Sequence, residues 1–160
     1  MFSNFQTYQT KEITVFTNQQ LTIRELKEAH VFFLEKIIPE IELHFLTVAQ
    51  QCTLSEKVRI QAYLIKFYSF TRALSDHILM EEQFIFPFLA GKSLPSEKEA
   101  VIHFIEHHED FEQQLQALVT ELVNELSELN HLMAFRMLAL KLHRFNEKLL
   151  EHALLEESLF

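Results

Sequence analysis

The segment Asp76–Leu89, with the sequence DHILMEEQFIFPFL, is the part of the chain that best predicts its fold. Successive residues of an α-helix are about 100° apart around its axis, so His77 and Glu81 project from one side, one turn apart. The rest of that helical face is apolar and carries Phe70, Leu74, Phe84 and Phe88. A bundle buries such a face, and burying polar groups is costly unless something binds them. The pair is therefore a candidate ligand site inside a helical bundle.

A near copy of this pair occurs at the other end of the chain, where His152 and Glu156 share an apolar face. That face consists of Leu138, Leu142, Phe145, Leu149 and Leu159. Spacing alone is weak evidence, because composition predicts roughly one His-x-x-x-Glu match by chance. The chain holds His77/Glu81, His108/Glu112, His143/Glu147 and His152/Glu156. His143 lies about 180° from His152 and is expected to face water. The two pairs on apolar faces predict a metal site.

Composition indicates one compact all-α domain. The chain has 160 residues, is 48% hydrophobic, and contains one Gly and three Pro, which favours long helices and few turns. The formal net charge is −9 and no run of Lys or Arg occurs, so neither nucleic acid nor an anionic membrane is an expected partner. Without a signal-like amino terminus or a long apolar segment, a cytoplasmic protein is expected. The single Cys52 excludes an internal disulfide and a thiolate metal site within one chain.

The order of helix signals predicts an up-down-up-down four-helix bundle at residues 21–160, preceded by an arm. Residues 1–20 show no helical period and are expected to form a short extended arm. The first helix is predicted from Leu21 to Gln51, with a capping box at Thr22. Its buried face centres on His30, and Pro39 is expected to kink it.

The other three helices follow with short connections. The second is predicted to begin at a Thr53/Glu56 capping box and to end near Ala90, closed by Gly91. The third covers about residues 97–128, with Ser96 as its cap. Asn130 is a plausible cap for the fourth, which continues to the end.

The third helix offers three histidines in IHFIEHHED, so helical phase must choose among them. The apolar face is defined by Phe104, Phe111, Leu115, Leu118 and Leu122. His108 lies within about 20–30° of the centre of that face, whereas His107 lies near its edge and His103 further round. We predict His108 as the ligand and keep His107 as the alternative.

All these candidates are predicted to lie at one end of an antiparallel bundle. They were chosen by helical phase, so their common height along the bundle axis is an independent observation. The predicted metal ligands are His30, His77, Glu81, His108, His152 and Glu156. Four imidazoles and two carboxylates exceed what one tetrahedral zinc needs. The set suits two octahedral-preferring ions bridged by Glu81 and Glu156, which indicates iron or manganese by ligand type, while zinc remains possible.

Four short stretches carry a resemblance to a known family. They are Ile38-Pro39-Glu40-Ile41, the pattern His-x-x-x-Glu-Glu-x-x-x-Phe-Pro from His77 to Pro87, His107-His108-Glu109, and His152-x-x-x-Glu156. Over residues 21–160 the chain resembles the hemerythrin-like family, or HHE cation-binding domain. It is most similar to the di-iron domain of bacterial proteins that repair iron–sulfur clusters. In that domain the proline follows the first-helix histidine by eight residues, whereas Pro39 follows His30 by nine, so a local bulge or a shift is expected.

The resemblance and the ligand set together predict a non-haem di-iron protein with two oxo- or hydroxo-bridged irons and an open position for NO, O₂ or peroxide. A role in nitrosative or oxidative stress, or in cluster repair, is the first hypothesis. An oxygen-binding or redox-sensing module without turnover is the alternative, and a metal-free structural bundle is a third. Whether the chain is an enzyme stays open, and so does the existence of a protein partner.

Overall fold

A computed structural model describes the backbone of residues 3–92, 98–106 and 110–159, with side chains from Asn18 onward except those of Ala100, Ile105 and Glu106. This part of the chain is almost entirely helical and contains no strand. None of its helices is both long and apolar enough to cross a membrane.

The first helix, α1, begins at Ser3 and ends at Phe32, so the predicted extended arm is wrong. The segment lacks apolar period, but it contains neither Gly nor Pro, and lengthening an existing helix costs much less than starting one. The predicted cap at Thr22 is wrong for the same reason. Thr22 lies inside the helix, where its hydroxyl donates a hydrogen bond of 3.1 Å to the carbonyl oxygen of Asn18.

A π turn at Phe33–Ile37 follows α1, and α2 then runs from Ile38 to Gln51. The N–H of Ile38 donates to the carbonyl oxygen of Phe33, five residues back instead of four. Pro39 lies just beyond and cannot donate a backbone hydrogen bond to the preceding turn. A π turn accommodates one extra residue, so it supplies the bulge predicted from the spacing between His30 and Pro39.

The second helical rod repeats this construction. It comprises α3 (Leu54–Met80), a second π turn (Glu81–Ile85) and α4 (Phe86–Leu89). The N–H of Phe86 donates to the carbonyl oxygen of Glu81, again five residues back, and Pro87 follows. The buried face therefore moves by one residue beyond Glu81. Ile85 and Phe86 are buried there, whereas the predicted Phe84 and Phe88 are only half-buried.

Both predicted ends of this second rod are confirmed. At its start, the carboxylate of Glu56 accepts a 2.7 Å hydrogen bond from the Thr53 N–H, while the Glu56 N–H donates to the Thr53 hydroxyl. At its end, Gly91 has a φ of 69°, which favours glycine. The N–H groups of Gly91 and Lys92 donate to the carbonyl oxygens of Phe88 and Pro87, which forms a Schellman cap.

The third and fourth rods complete the chain. They comprise α5 (Lys98–Glu106), α6 (Phe111–Glu125), a 3₁₀ turn (Ser127–His131) and α7 (Met133–Glu157). The predicted cap at Ser96 lies outside the described residues. The predicted cap at Asn130 is wrong, because that residue lies inside the 3₁₀ turn and Leu132 precedes α7.

The four rods close into a ring, which confirms the predicted all-α four-helix bundle. α2 packs against α3 and α7, and α6 packs against the same two helices from the other side. The main core contains residues from all four rods, whereas a smaller apolar cluster lies apart from it. The smaller cluster consists of Leu26, Ile85, Phe86 and Val101. Leu26, Ile85 and Phe86 each lie four or five residues from His30 or Glu81 along the chain.

Candidate metal centre

Five of the six predicted ligands converge in the interior of the bundle. The five are His30, His77, Glu81, His152 and Glu156, and none is more than 8% exposed. They come from α1, the end of α3, the first residue of the second π turn, and the last turns of α7. The sixth, His108, and its alternative His107 lie outside the described residues. The choice of His108 over His107 as the metal ligand of the third helix stays a prediction.

Glu81 stands at the middle of this cluster. Its Oε2 atom lies 3.1 Å from His30 Nε2, and its Oε1 atom lies 3.3 Å from His77 Nε2. Two groups of potential donors share it, and within each group the donor atoms all lie within 4.8 Å of one another. One group is His30, Glu81 and His152, and the other is His77, Glu81 and Glu156. One carboxylate is therefore within reach of the donors of both groups.

In the first donor group, two imidazole nitrogens lie very close together. His30 Nε2 and His152 Nε2 face each other at 2.8 Å, and their ring centroids are 4.9 Å apart. If both rings are neutral, at most one of these nitrogens carries a hydrogen towards the other. The same His30 nitrogen also approaches Glu81, so three donor atoms point at one small region.

The second donor group brings two carboxylates together in the interior. Glu156 is 2% exposed, and its Oε2 atom lies 3.9 Å from Nδ1 of His152. Two neighbouring buried carboxylates repel unless a proton or a cation lies with them. His77 supplies the nitrogen of this group.

The buried groups of this cluster shift one another's pKa values. Burial raises the pKa of Glu81, but His30, His77 and Glu156 outweigh burial and hold that pKa well below its usual range. Burial lowers the pKa of His30, yet the nearby carboxylates of Glu81 and Glu82 raise it above its ordinary value of 6.5. An ionised carboxylate is therefore favoured at the centre, which is the form that binds cations.

The hydrogen-bond geometry of Glu81 tests whether these residues fit a metal. Both of its carboxylate oxygens are buried, and neither accepts a well-directed hydrogen bond. The imidazole nitrogens of His30 and His77 are their nearest donors, at 3.1 Å and 3.3 Å. Buried carboxylate oxygens almost always have a partner. Oxygen and imidazole donors that converge on such a place fit a divalent or trivalent cation, and thiolates are absent from the set.

Glu82 contacts a predicted ligand but is absent from the ligand set predicted from the sequence. Its Oε1 atom lies 2.9 Å from Nδ1 of His30, and its side chain is 38% exposed. A carboxylate that accepts a hydrogen bond from Nδ1 keeps the ring hydrogen on that nitrogen. The lone pair of Nε2 can then bind a metal. The signal was the doublet Glu81-Glu82, but consecutive residues of a regular helix point about 100° apart. The π turn that begins at Glu81 could not be read from the sequence.

Aromatic rings enclose the centre. Phe86 stacks on His30 with ring centroids 5.8 Å apart, and Phe104 stacks on His77 at 4.8 Å. Phe33 lies against His152 at 5.6 Å. These rings exclude water from the donor groups and raise the energetic cost of leaving their charges unpaired.

A small pocket reaches this enclosure from the groove between α1 and α7. Its volume is about 280 Å³ and its lining is mainly apolar. It is lined by Ala29, Phe32, Phe33, Lys148, Glu151, His152 and Leu155. His152 is part of this lining, so the pocket lies beside the first donor group.

The residues that phase excluded lie at the surface. His143 and Glu147 are exposed, as predicted, although they have the same spacing as the two buried pairs. Glu157 is exposed as well, next to the buried Glu156. Helical phase therefore separates buried from exposed candidates wherever the helix is regular.

Comparison with known proteins gives one match. A protein-family model described as Hemerythrin HHE cation binding domain matches residues 22–160. No curated protein and no solved structure matches the chain significantly.

Proposed function

Because the chain belongs to the hemerythrin HHE cation-binding family, we propose that it is a non-haem di-iron protein that reacts with NO, O₂ or peroxide. The observation that carries this proposal is the position of Glu81, which two donor groups share. A carboxylate shared in this way serves as a bridge between two ions. A lone structural zinc needs only one such group.

Each donor group supplies imidazole nitrogen and carboxylate oxygen. His30 and His152 would hold one ion together with Glu81, while His77 and Glu156 would hold the other. We keep His108 as the fourth imidazole ligand. Imidazole and carboxylate donors without thiolate suit iron or manganese, and zinc is the third candidate. When bound, a pair of irons would supply one-electron chemistry and open positions for a small ligand.

The protein around the donors favours neutral diatomic ligands. The stacked rings of Phe33, Phe86 and Phe104 make the surroundings apolar, and an ion would lose its hydration there. NO and O₂ carry no such cost. The apolar pocket lined by His152 is the path of entry that we propose for them.

The biological role that fits best is a cytoplasmic response to nitrosative or oxidative stress, including iron–sulfur cluster repair. Support comes from the quoted sequence patterns that this chain shares with the di-iron domain of repair proteins. The second candidate is an oxygen-binding or sensing module without turnover, which the sealed, apolar surroundings of the donors also suit. A metal-free bundle is disfavoured by the buried oxygens of Glu81.

Metal analysis of the protein from iron-supplemented cells, combined with its visible spectrum, tests the proposal. We expect about two irons per chain and near-ultraviolet bands of bridged iron that change on reduction and on exposure to NO. His77→Ala should cost about one of the two ions, because His77 belongs to the second donor group only. The matched control is His143→Ala, because His143 has the same His-x-x-x-Glu spacing but is exposed. One zinc, no metal, or equal loss in both variants would overturn the di-iron proposal.

The response to gases separates the two roles. Repeated turnover of NO or peroxide with consumption of a reductant supports the stress-response hypothesis. Reversible oxygenation that leaves the spectrum unchanged after many cycles supports the binding or sensing module.

A further inference from the structure

A second cavity, of about 500 Å³, lies between the first π turn and α7 and is lined largely by cationic side chains. We call it the cationic groove, and its cations are Lys36, Lys141, Arg144 and Lys148. The chain as a whole has 14 Lys and Arg against 23 Asp and Glu. The groove reverses that balance, since only Glu40 and Glu147 contribute negative charge to its lining. Folding creates this cluster, because Lys36 comes from the first rod and the other three come from α7.

The partners of these cations show where positive charge is left over. Lys141 Nζ lies 2.5 Å from Glu40, and Lys148 Nζ lies 2.5 Å from Glu151. Lys36 Nζ lies over the ring of Phe32, 5.8 Å from its centroid, and its charge acts on Glu40 from a distance without forming an ion pair. Among the described residues, no carboxylate lies within ion-pair distance of Lys36 or Arg144.

The size and chemistry of the groove fit a small anion. Its volume falls within the range of ordinary small-molecule sites. The planar fork of Arg144 matches two oxygens of a phosphate or a carboxylate, and the ammonium of Lys36 adds a second positive charge. We propose that the cationic groove binds a small dianion, either a phosphate or a short dicarboxylate. The proposal rests on this groove alone and does not require the metal centre.

The position of the groove gives the bound anion a place beside the proposed metal centre. Phe32 and Lys148 line both the cationic groove and the apolar pocket beside His152. A dianion in the groove would therefore lie next to the apolar pocket that His152 lines.

Calorimetric titration of the full chain at low ionic strength tests the proposal, with inorganic phosphate and succinate as the two probes. We expect saturable binding of at least one probe by the unmodified protein. The Lys36→Gln and Arg144→Gln double variant should weaken that binding by at least about tenfold. Tighter binding of phosphate would assign the groove to phosphate-bearing ligands, and tighter binding of succinate would assign it to dicarboxylates.

The matched control is the Lys57→Gln and Arg72→Gln double variant. Both of its positions are exposed on α3, away from the groove, and the net charge changes by the same amount. It should bind both probes within about twofold of the unmodified protein. Equal weakening in the two double variants would mean that only overall charge matters. That result, or no saturable binding of either probe up to about 10 mM, would overturn the proposal.

Discussion

The pairs His77/Glu81 and His152/Glu156 have the same spacing in sequence but different surroundings in the structure. Glu81 is the first residue of a π turn, whereas Glu156 lies in the regular helix α7. The nitrogen–oxygen distance is 3.3 Å in the first pair and 3.9 Å in the second. Glu81 belongs to both donor groups and Glu156 to one. The conformation of the backbone after a His/Glu pair, as well as the spacing within it, therefore decides how many neighbours the carboxylate contacts.

The π turn also explains how two adjacent carboxylates reach one imidazole. Glu81 Oε2 lies 3.1 Å from Nε2 of His30, and Glu82 Oε1 lies 2.9 Å from Nδ1 of the same ring. Consecutive side chains in a regular helix diverge by about 100°. The wider turn relaxes that divergence, so both glutamates face the first rod.

Replacing the shared carboxylate should have the largest effect. Glu81→Ala removes a donor from both groups, so we expect loss of nearly all bound metal, from about two ions per chain to almost none. Metal-to-protein ratios after purification and gel filtration measure this. If the variant retains one tightly bound ion, Glu81 is not the shared ligand and the distinction between the two pairs fails.

The second pair should give a smaller loss. Glu156→Ala removes a donor from one group only, so we expect about one ion to remain. Glu157→Ala is the matched control, because Glu157 is the exposed neighbour on the same helix and should leave the ratio unchanged. A complete loss in Glu156→Ala would make the two carboxylates equivalent, as two bridges would be. Equal losses at positions 156 and 157 would contradict the phase argument.

The third helix offers a comparison of the same kind between adjacent histidines. His108→Ala should cost one of the two ions, whereas His107→Ala should cost less, because phase places His108 closer to the centre of the apolar face. The same metal ratios measure this difference. A greater loss in His107→Ala would move the ligand by one residue.

Much of the fold and most of the buried polar cluster could be predicted wherever helices are regular. Phase and spacing identified His30, His77 and His152 as buried, and they placed His143 in water. Errors occur where the backbone departs from 3.6 residues per turn. Beyond Glu81 the predicted face is off by one residue, because a π turn leaves no mark in hydrophobic periodicity.

The first π turn produced a similar miss. A regular helix that buries His30 would also bury Leu34, four residues on, but Phe33 is the residue that is buried and packs against His152. The spacing to Pro39 indicated a bulge without specifying which side chain it would turn inward. The helical conformation of residues 3–20 was missed for another reason. Helix propagation from a stable segment does not need an amphipathic pattern.

Glu82 gives the next smaller effect, because it contacts a predicted ligand and belongs to neither donor group. Glu82→Gln weakens the hold on Nδ1 of His30 without removing a donor from either group, so we expect metal affinity to fall by about 10- to 100-fold with the stoichiometry kept. Competition with a chelator measures the affinity. Glu99→Gln, at an exposed position of α5, removes the same charge and should have no effect. Loss of stoichiometry in Glu82→Gln would make Glu82 a direct ligand.

The smallest effect on metal content is expected from a destabilising substitution at the start of α3, far from both His/Glu pairs. Thr53→Ala removes the capping box at the start of α3, which should lower the free energy of unfolding by about 1 kcal/mol. The corresponding drop in melting temperature is about 2–4 °C for a domain of this size. Metal content should stay at the unmodified level, because the cap lies 24 residues before His77 along the helix. If Thr53→Ala lost metal as Glu156→Ala does, the losses in the glutamate variants would reflect instability, and the comparison between the two pairs would carry no information about ligands.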